Sequence, residues 1–206
     1  MPSLADAMRL GRLRKRKQFH LGRFHRAAHI KCGDAIEMRL EYRAALYARE
    51  YGWGENFEGL CAQIVADMTR KFEPLAATRQ QQLTLHACGE PLNIPFDRSN
   101  IERVLSNLIG NAIKYTPNGG SVRVSVETQN DWAVIRVQDS GSGIPAKDLP
   151  YIFDRFFRAD AHRPSTKGSG LGLSIVEALL VRHGGRLTLA NRPGGGFRAG
   201  LWLRAA

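Results

Sequence analysis

Residues 101–117 read IERVLSNLIGNAIKYTP. Ile101, Val104, Leu105, Leu108, Ile109, Ala112 and Ile113 recur at intervals of three and four and form one continuous apolar stripe. The spacing predicts a helix with one buried face. Asp97 stands where an N-cap would accept from the first free amides of that helix. Thr116-Pro117-Asn118-Gly119-Gly120 ends it.

Outward from this helix, strand and helix signals alternate. On the N-terminal side, Gln82–Ala87 (QLTLHA) alternates polar and apolar and reads as a strand, followed by a loop marked by Pro91 and Pro95. Before it, Leu60, Ile64, Val65, Met68 and Phe72 mark one face of another helix. On the C-terminal side, Ser121–Glu127 and Trp132–Asp139 read as two strands joined by a turn at Thr128–Asp131. A Gly-rich loop, a short apolar piece (Tyr151–Phe157) and a second Gly-rich loop, GSGLGL at 168–173, lead into a helix ending near His183. Arg186–Asn191 and Phe197–Arg204 complete the chain as two strands linked through Pro193 and three glycines. Long helices beside a mostly consecutive, hairpin-linked sheet indicate an α+β two-layer sandwich.

The rest of the 206 residues is less regular. Residues 1–31 hold nine Lys or Arg and one Asp, so +8 of the chain's net +11 sits in this segment. Residues 34–51, rich in Ala, Leu, Arg and Glu, read as one helix, broken by Gly52-Trp53-Gly54-Glu55-Asn56. The division that follows is an N-terminal segment at 1–56 and a main domain at 57–206. A composition of 43% apolar and 24% charged residues is globular. No apolar run is long enough to cross a membrane, and the charge near the N-terminus argues against a signal peptide. Cys32, Cys61 and Cys88 form no CxxC pair, which argues against a disulfide framework or a cysteine zinc site and points to the cytoplasm.

Three constellations carry chemistry. Asn107 and Asn111 lie one turn apart on the polar edge of the 101–115 helix, and Lys114 joins them three residues on. Their amide oxygens suit Mg²⁺ and the ammonium suits a polyphosphate, although such a face alone also suits simple solvation. Asp139-Ser140-Gly141-Ser142-Gly143-Ile144-Pro145 puts a carboxylate at a strand end, where two glycines let a ligand approach the backbone. Gly168, Gly170 and Gly172 open a helix, where free amides favour phosphate. Either loop alone could be a surface turn.

Together, NxxxNAxKYTP, a hairpin, DxGxGIP, IFDRFFR and GSGLGLSIV form an ordered string. It resembles the catalytic, ATP-binding domain of the sensor histidine kinases, within the superfamily that includes gyrase B, Hsp90 and MutL. The resemblance covers Phe57 to Arg204. It implies a two-layer α/β sandwich of the histidine kinase ATPase type, with an N-terminal helical segment. It implies ATP and Mg²⁺ as ligands, Asn111 holding the metal with Asn107 in support, Lys114 at the phosphates and Tyr115 against the adenine. Asp139 would accept from the exocyclic amine, with Gly141 and Gly143 giving room. Phe153, Phe156 and Phe157 would anchor a mobile lid. Lys167, Gly168, Gly170, Leu171 and Gly172 would border the phosphates, and Arg155 and Arg158 would stabilise charge on the transferred group.

Hydrolytic members of the superfamily, and the related serine kinases, carry a glutamate as general base one turn before the metal-binding asparagine. Here that position is Asn107, which cannot take a proton. The resemblance therefore implies transfer to a histidine rather than hydrolysis, since a neutral imidazole is already nucleophilic. None of the six histidines stands in the family's acceptor pattern, the H-box. His86 follows an apparent core strand, and His20, His25 and His29 read as solvated members of the basic segment. The expectation is a fragment beginning after the H-box, or a divergent or non-native segment at 1–56. Its partners would be a response regulator and a histidine-bearing dimerisation domain, upstream in cis or supplied in trans, and a homodimer fits the same reading. A non-catalytic nucleotide-binding module would need the same pocket. Nucleic-acid binding through residues 9–31 would be nonspecific, because only Phe19 and Phe24 interrupt the basic run with aromatics. The location expected is the cytoplasm, including the cytoplasmic part of a membrane-attached sensor.

Overall fold

The computed structural model describes residues 29–32, 35–38, 61–87, 94, 96–158 and 169–204. Two short strands come first, β1 (His29–Cys32) and β2 (Ala35–Met38). Then follow α1 (Cys61–Thr78), β3 (Gln82–Ala87), α2 (Arg98–Tyr115), β4 (Ser121–Gln129) and β5 (Trp132–Asp139). A single 3₁₀ turn at Leu149–Tyr151 precedes α3 (Gly172–His183), β6 (Arg186–Asn191) and β7 (Phe197–Arg204).

The strands form one sheet in the order β1-β2-β6-β7-β5-β4-β3. All neighbours run antiparallel except β3 and β4. The sheet is less consecutive than its sequence order suggests, because β7 inserts between β5 and β6. The three helices pack on one face and give the expected two layers.

α2 forms for the reasons its sequence supplies. The Asp97 carboxylate accepts from the Asn100 amide at 3.1 Å and from the Ser99 hydroxyl, and these bonds hold its pKa below the usual range, the Ser99 bond foremost. All seven stripe residues are buried, each at 5% exposure or less. Burial of a Val, Leu or Ile contributes about 1.5–3 kcal/mol, so this stripe dominates the helix layer. On the sheet, alternation sends Val122, Val124, Val126, Ile135, Val137 and Leu201 to the same core. At its other end α2 is clamped. Gln81 Nε2 donates to the carbonyls of Thr116 at 2.7 Å and Ile113 at 3.0 Å, and Arg79 donates to Thr116 at 3.2 Å.

Two expectations are corrected. The single helix over 34–51 is absent at Ala35–Met38, which form a strand paired with His29–Cys32 and with β6. Helix propensity there yields to ladder bonds on the edge of β6. His29 opens the strand β1. His86 lies within β3 and is exposed, because its position alternates outward from the core. The basic run at 1–28, the glycine break at 52–56, Leu60, Cys88, Pro91, Pro95 and most of the expected lid lie outside the described residues.

Candidate functional site

Asp139 ends β5 with only 7% of its surface exposed. Its Oδ1 accepts from the amides of Gly141 at 2.8 Å and Phe197 at 3.1 Å. Arg192 donates to the Asp139 carbonyl at 2.8 Å. Burial pushes the carboxyl pKa up, and the two amides and the Arg192 charge pull it back. Both bonds fall on Oδ1, so Oδ2 accepts nothing from the described residues and is the oxygen left for a ligand donor.

The turn after Asp139 is built to pass close to α2. A Cβ at Gly141 would come within 2.6 Å of the Tyr115 carbonyl, so no larger residue fits without moving the helix end. Gly143 adopts φ +70°, and a Cβ there would meet Asn191 Oδ1 at 2.6 Å. Asn191 holds this loop through its side-chain amide, accepting from Ile144 N and donating to Ile144 O, each at 2.8 Å.

On α2, Asn107 and Asn111 are half-buried. Asn107 Nδ2 donates to the Arg103 carbonyl at 2.8 Å, which fixes the amide and leaves Oδ1 pointing away from its own helix backbone. The first residue of α3 closes on these asparagines. A Cβ at Gly172 would lie 2.9 Å from Asn107 Oδ1 and 3.7 Å from Asn111 Nδ2. The structure thus joins the polar edge of α2 to the second glycine loop, as the motif order implies. Lys114 Nζ sits 4.8 Å from the centre of the Tyr115 ring and 3.3 Å from its hydroxyl. Tyr115 is 41% exposed.

The aromatic segment divides in two. Phe153 and Phe157 pack against the core, whereas Phe156 is 71% exposed with φ +67°. Its amide donates to the Gly170 carbonyl at 3.0 Å. A Cβ at Gly170, itself at φ +69°, would strike the Phe156 backbone at 2.7 Å. So the segment is tied to the second glycine loop by backbone rather than by a buried ring. Arg155 is exposed and Arg158 half-buried on this segment. Leu171 caps α3 and is half-buried. Lys167 and Gly168 lie outside the described residues.

Sequence reading missed four supports: Asn191, Arg192, Gln81 and Arg79. Asn191 and Arg192 stand where β6 meets a turn, and only the register brings them to Ile144 and Asp139. It also missed Glu177 on α3, whose carboxyl is pushed up to about 7 by burial and by the charge of Asp154.

The architecture and the site have counterparts of known kind. Residues 96–206 match the family described as histidine kinase-, DNA gyrase B- and HSP90-like ATPase. Over 154 residues the chain is 35% identical to the phosphate regulon sensor protein PhoR of Pseudomonas aeruginosa, covering 74% of this chain and 34% of that protein. Over 100 residues it is 50% identical to the signal transduction histidine-protein kinase AfsQ2 of Streptomyces coelicolor, covering 48% of this chain and 18% of that protein. The chain thus spans about a third or less of the length of these two relatives. Among solved structures, the mycobacterial sensor histidine kinase MprB superposes with a TM-score of 0.63 at 28% identity, covering 69% of this chain and 94% of that one. The nucleotide-free catalytic domain of the histidine kinase ThkA superposes with a TM-score of 0.64 at 27% identity, covering 73% of this chain and 96% of that one. Fold, motif order and relatives agree, and the chain belongs to the histidine kinase-, gyrase B- and HSP90-like ATPase family as a sensor histidine kinase ATP-binding catalytic domain.

Proposed function

We propose that this chain binds Mg-ATP and delivers the γ-phosphoryl group to a histidine carried outside the described domain. The observation that carries this reading is that Gly172 closes on Asn107 while the turn that pins Asp139 closes on Tyr115 of the same helix. Two elements remote in sequence thereby converge on α2, with glycines where a side chain would fill the space. In this reading Asp139 Oδ2 accepts from the adenine amine, Tyr115 borders the base and Lys114 attracts the phosphates. Gly141, Gly143, Gly170, Leu171 and Gly172 shape the walls, with Phe153 and Phe156 carrying the loop that bears Arg155 and Arg158. Lys167 and Gly168, outside the described residues, would add a positive charge and a backbone amide for the phosphates. Asn111 supplies an amide oxygen for Mg²⁺, and Asn107 supports it. Bound there, the metal would neutralise charge between phosphate groups.

Asn107 has no basic nitrogen or carboxylate, so nothing at that position draws a proton from water. The site therefore suits an acceptor that needs no deprotonation, such as neutral imidazole. Residues 57–206 form the catalytic unit in this reading, and residues 1–56 are an attachment whose strands β1 and β2 extend its sheet beside β6. The partners are a dimerisation domain bearing the acceptor histidine and a response regulator that takes the phosphoryl group onward.

Titration calorimetry with ATP, with and without magnesium, tests the reading. The chain should bind in both conditions and more tightly with the metal. Absence of binding, or binding indifferent to magnesium, would remove the proposed ligand set.

A further inference from the structure

The sheet face turned away from the helices carries none of the residues proposed to bind nucleotide, yet it has a pronounced chemistry. From β3 to β7 its outward positions follow from the register. Arg123, Gln138 and Arg198 form one row across β4, β5 and β7. Arg136 lies one step along, opposite Ser125. Towards the other end, Trp202 pairs with Arg186, and Trp132 with Arg204.

Five arginines thus share this face with one carboxylate on β3 to β7, that of Glu127. Glu127 is already committed to Arg136, whose bond holds its pKa below the usual range. Arg123 and Arg198 are exposed and have no carboxylate within ion-pair distance among the described residues. Together with His86, Ser125, Gln138 and the Arg136–Glu127 pair they line a shallow cradle of about 520 Å³. Gathering unpaired like charges on one face costs free energy in the isolated domain, and an anionic partner would offset that cost.

We propose that this outer face is a docking surface for an acidic protein surface. Its composition fits that occupant. Arginine and tryptophan are the residues most enriched at the energetic centres of protein interfaces. Here Val134, fully buried although it points outward, is flanked across the ladder by Trp202 and Glu127 and gives the patch a small apolar floor. Guanidinium groups in rows across the strands present planar forks to carboxylates. Other occupants fit less well. A second copy would set arginines against arginines. The chain's own segment at 1–31 carries nine basic residues and one acidic residue, so it is repelled. Single-stranded nucleic acid needs open aromatic faces for its bases. The Trp132 ring is instead covered by the Arg186 guanidinium at 4.4 Å, and the Trp202 indole donates to Thr188 at 3.4 Å. The face lies across the sheet from the helix layer that holds Asn107, so a docked partner leaves the candidate site open.

The test uses the full 206-residue chain, isotopically labelled, with a short peptide alternating Glu and Ser as the probe. The chain has three tryptophans, so each indole N–H gives a resolvable resonance. The peptide should shift the Trp132 and Trp202 indole resonances and the β4, β5 and β7 amides, in a salt-dependent way. The double variant Arg123→Glu/Arg198→Glu should weaken this binding by about tenfold or more while leaving adenine-nucleotide affinity unchanged. Arg123→Gln/Arg198→Gln, which removes charge without reversing it, should fall between. Equal binding by wild type and variants, or shifts confined to residues 1–31, would overturn the proposal. So would an oligothymidylate of equal charge that shifts the two indoles at lower concentration than the peptide.

Discussion

Gly172 begins α3 so close to α2 that a Cβ there would lie 2.9 Å from Asn107 Oδ1. The contact makes the glycine a spacer between two helices rather than a hinge, because α3 begins at this residue in regular helical form. Replacing it should therefore disturb the site and not the fold. Gly172→Ala should leave the melting temperature within a few degrees of wild type, since alanine is a better helix former. It should displace the Asn107 amide and weaken the magnesium-dependent part of ATP affinity. Calorimetry with and without the metal, beside a thermal melt, checks both halves.

Asp139→Asn should cost about 1–3 kcal/mol of adenine-nucleotide affinity, the scale of a lost charge-assisted hydrogen bond. The amide oxygen can still accept from Gly141 and Phe197, so the loop keeps its anchor. Its nitrogen replaces the acceptor at Oδ2 with a donor. The variant should accordingly narrow the preference for ADP over IDP, whose exocyclic oxygen accepts rather than donates. Equal ADP affinity for wild type and variant would rule out Asp139 as the adenine-reading group.

Without an acceptor, ATP turnover should fall far below the ~10 s⁻¹ typical of enzymes, because Asn107 offers no general base. Phosphate release from the purified chain measures it. A rate near that figure would mean that another group activates water.

Glu177 gives a pH signature. Its carboxyl is pushed up to about 7 by burial and by Asp154. An acid raised in the folded state favours folding while protonated, and that contribution fades as pH rises through about 7. Glu177→Gln mimics the protonated form. The variant should match wild type below the ordinary glutamate range near pH ~4.3, then become the more stable of the two from there to neutrality. Thermal melts at pH 4, 6 and 8 should show the gap opening with pH. A gap that closed toward pH 8 would contradict the sign.

Much of this molecule was legible in its sequence, and the illegible parts share a cause. The α2 stripe, the Asp97 cap, the alternation of β4 and the start of α3 are local patterns, and each stands where its periodicity placed it. The two asparagines and Asp139 were legible because their spacing is also local. What could not be read depends on pairing between distant segments. β7 lies between β5 and β6, and this alone brings the Phe197 amide to Asp139. Ala35–Met38 have a helix-forming composition but gain ladder bonds from β6. Asn191 looks like an ordinary strand end until Ile144 is found beside it. Phe156 stands exposed at a φ of +67°, a backbone choice no side-chain pattern announces.

The most direct test of the central claim is phosphoryl transfer in trans. The chain is incubated with γ-labelled ATP and magnesium, alone and with a separately expressed sensor-kinase dimerisation domain bearing an H-box. Acid-labile, base-stable label is then mapped by peptide. No phosphohistidine should form on this chain alone, and a histidine of the added domain should be labelled. The first half of that expectation rests on the sequence reading of the six histidines. His183, stacked on Phe96 at 3.9 Å and bonded to the Leu179 carbonyl at 2.8 Å, is held in place. Label on His20, His25 or His29 would contradict the account by making residues 1–31 the acceptor segment. ATP binding with no label on either protein would contradict it in the other direction, leaving a nucleotide-binding module without transferase activity.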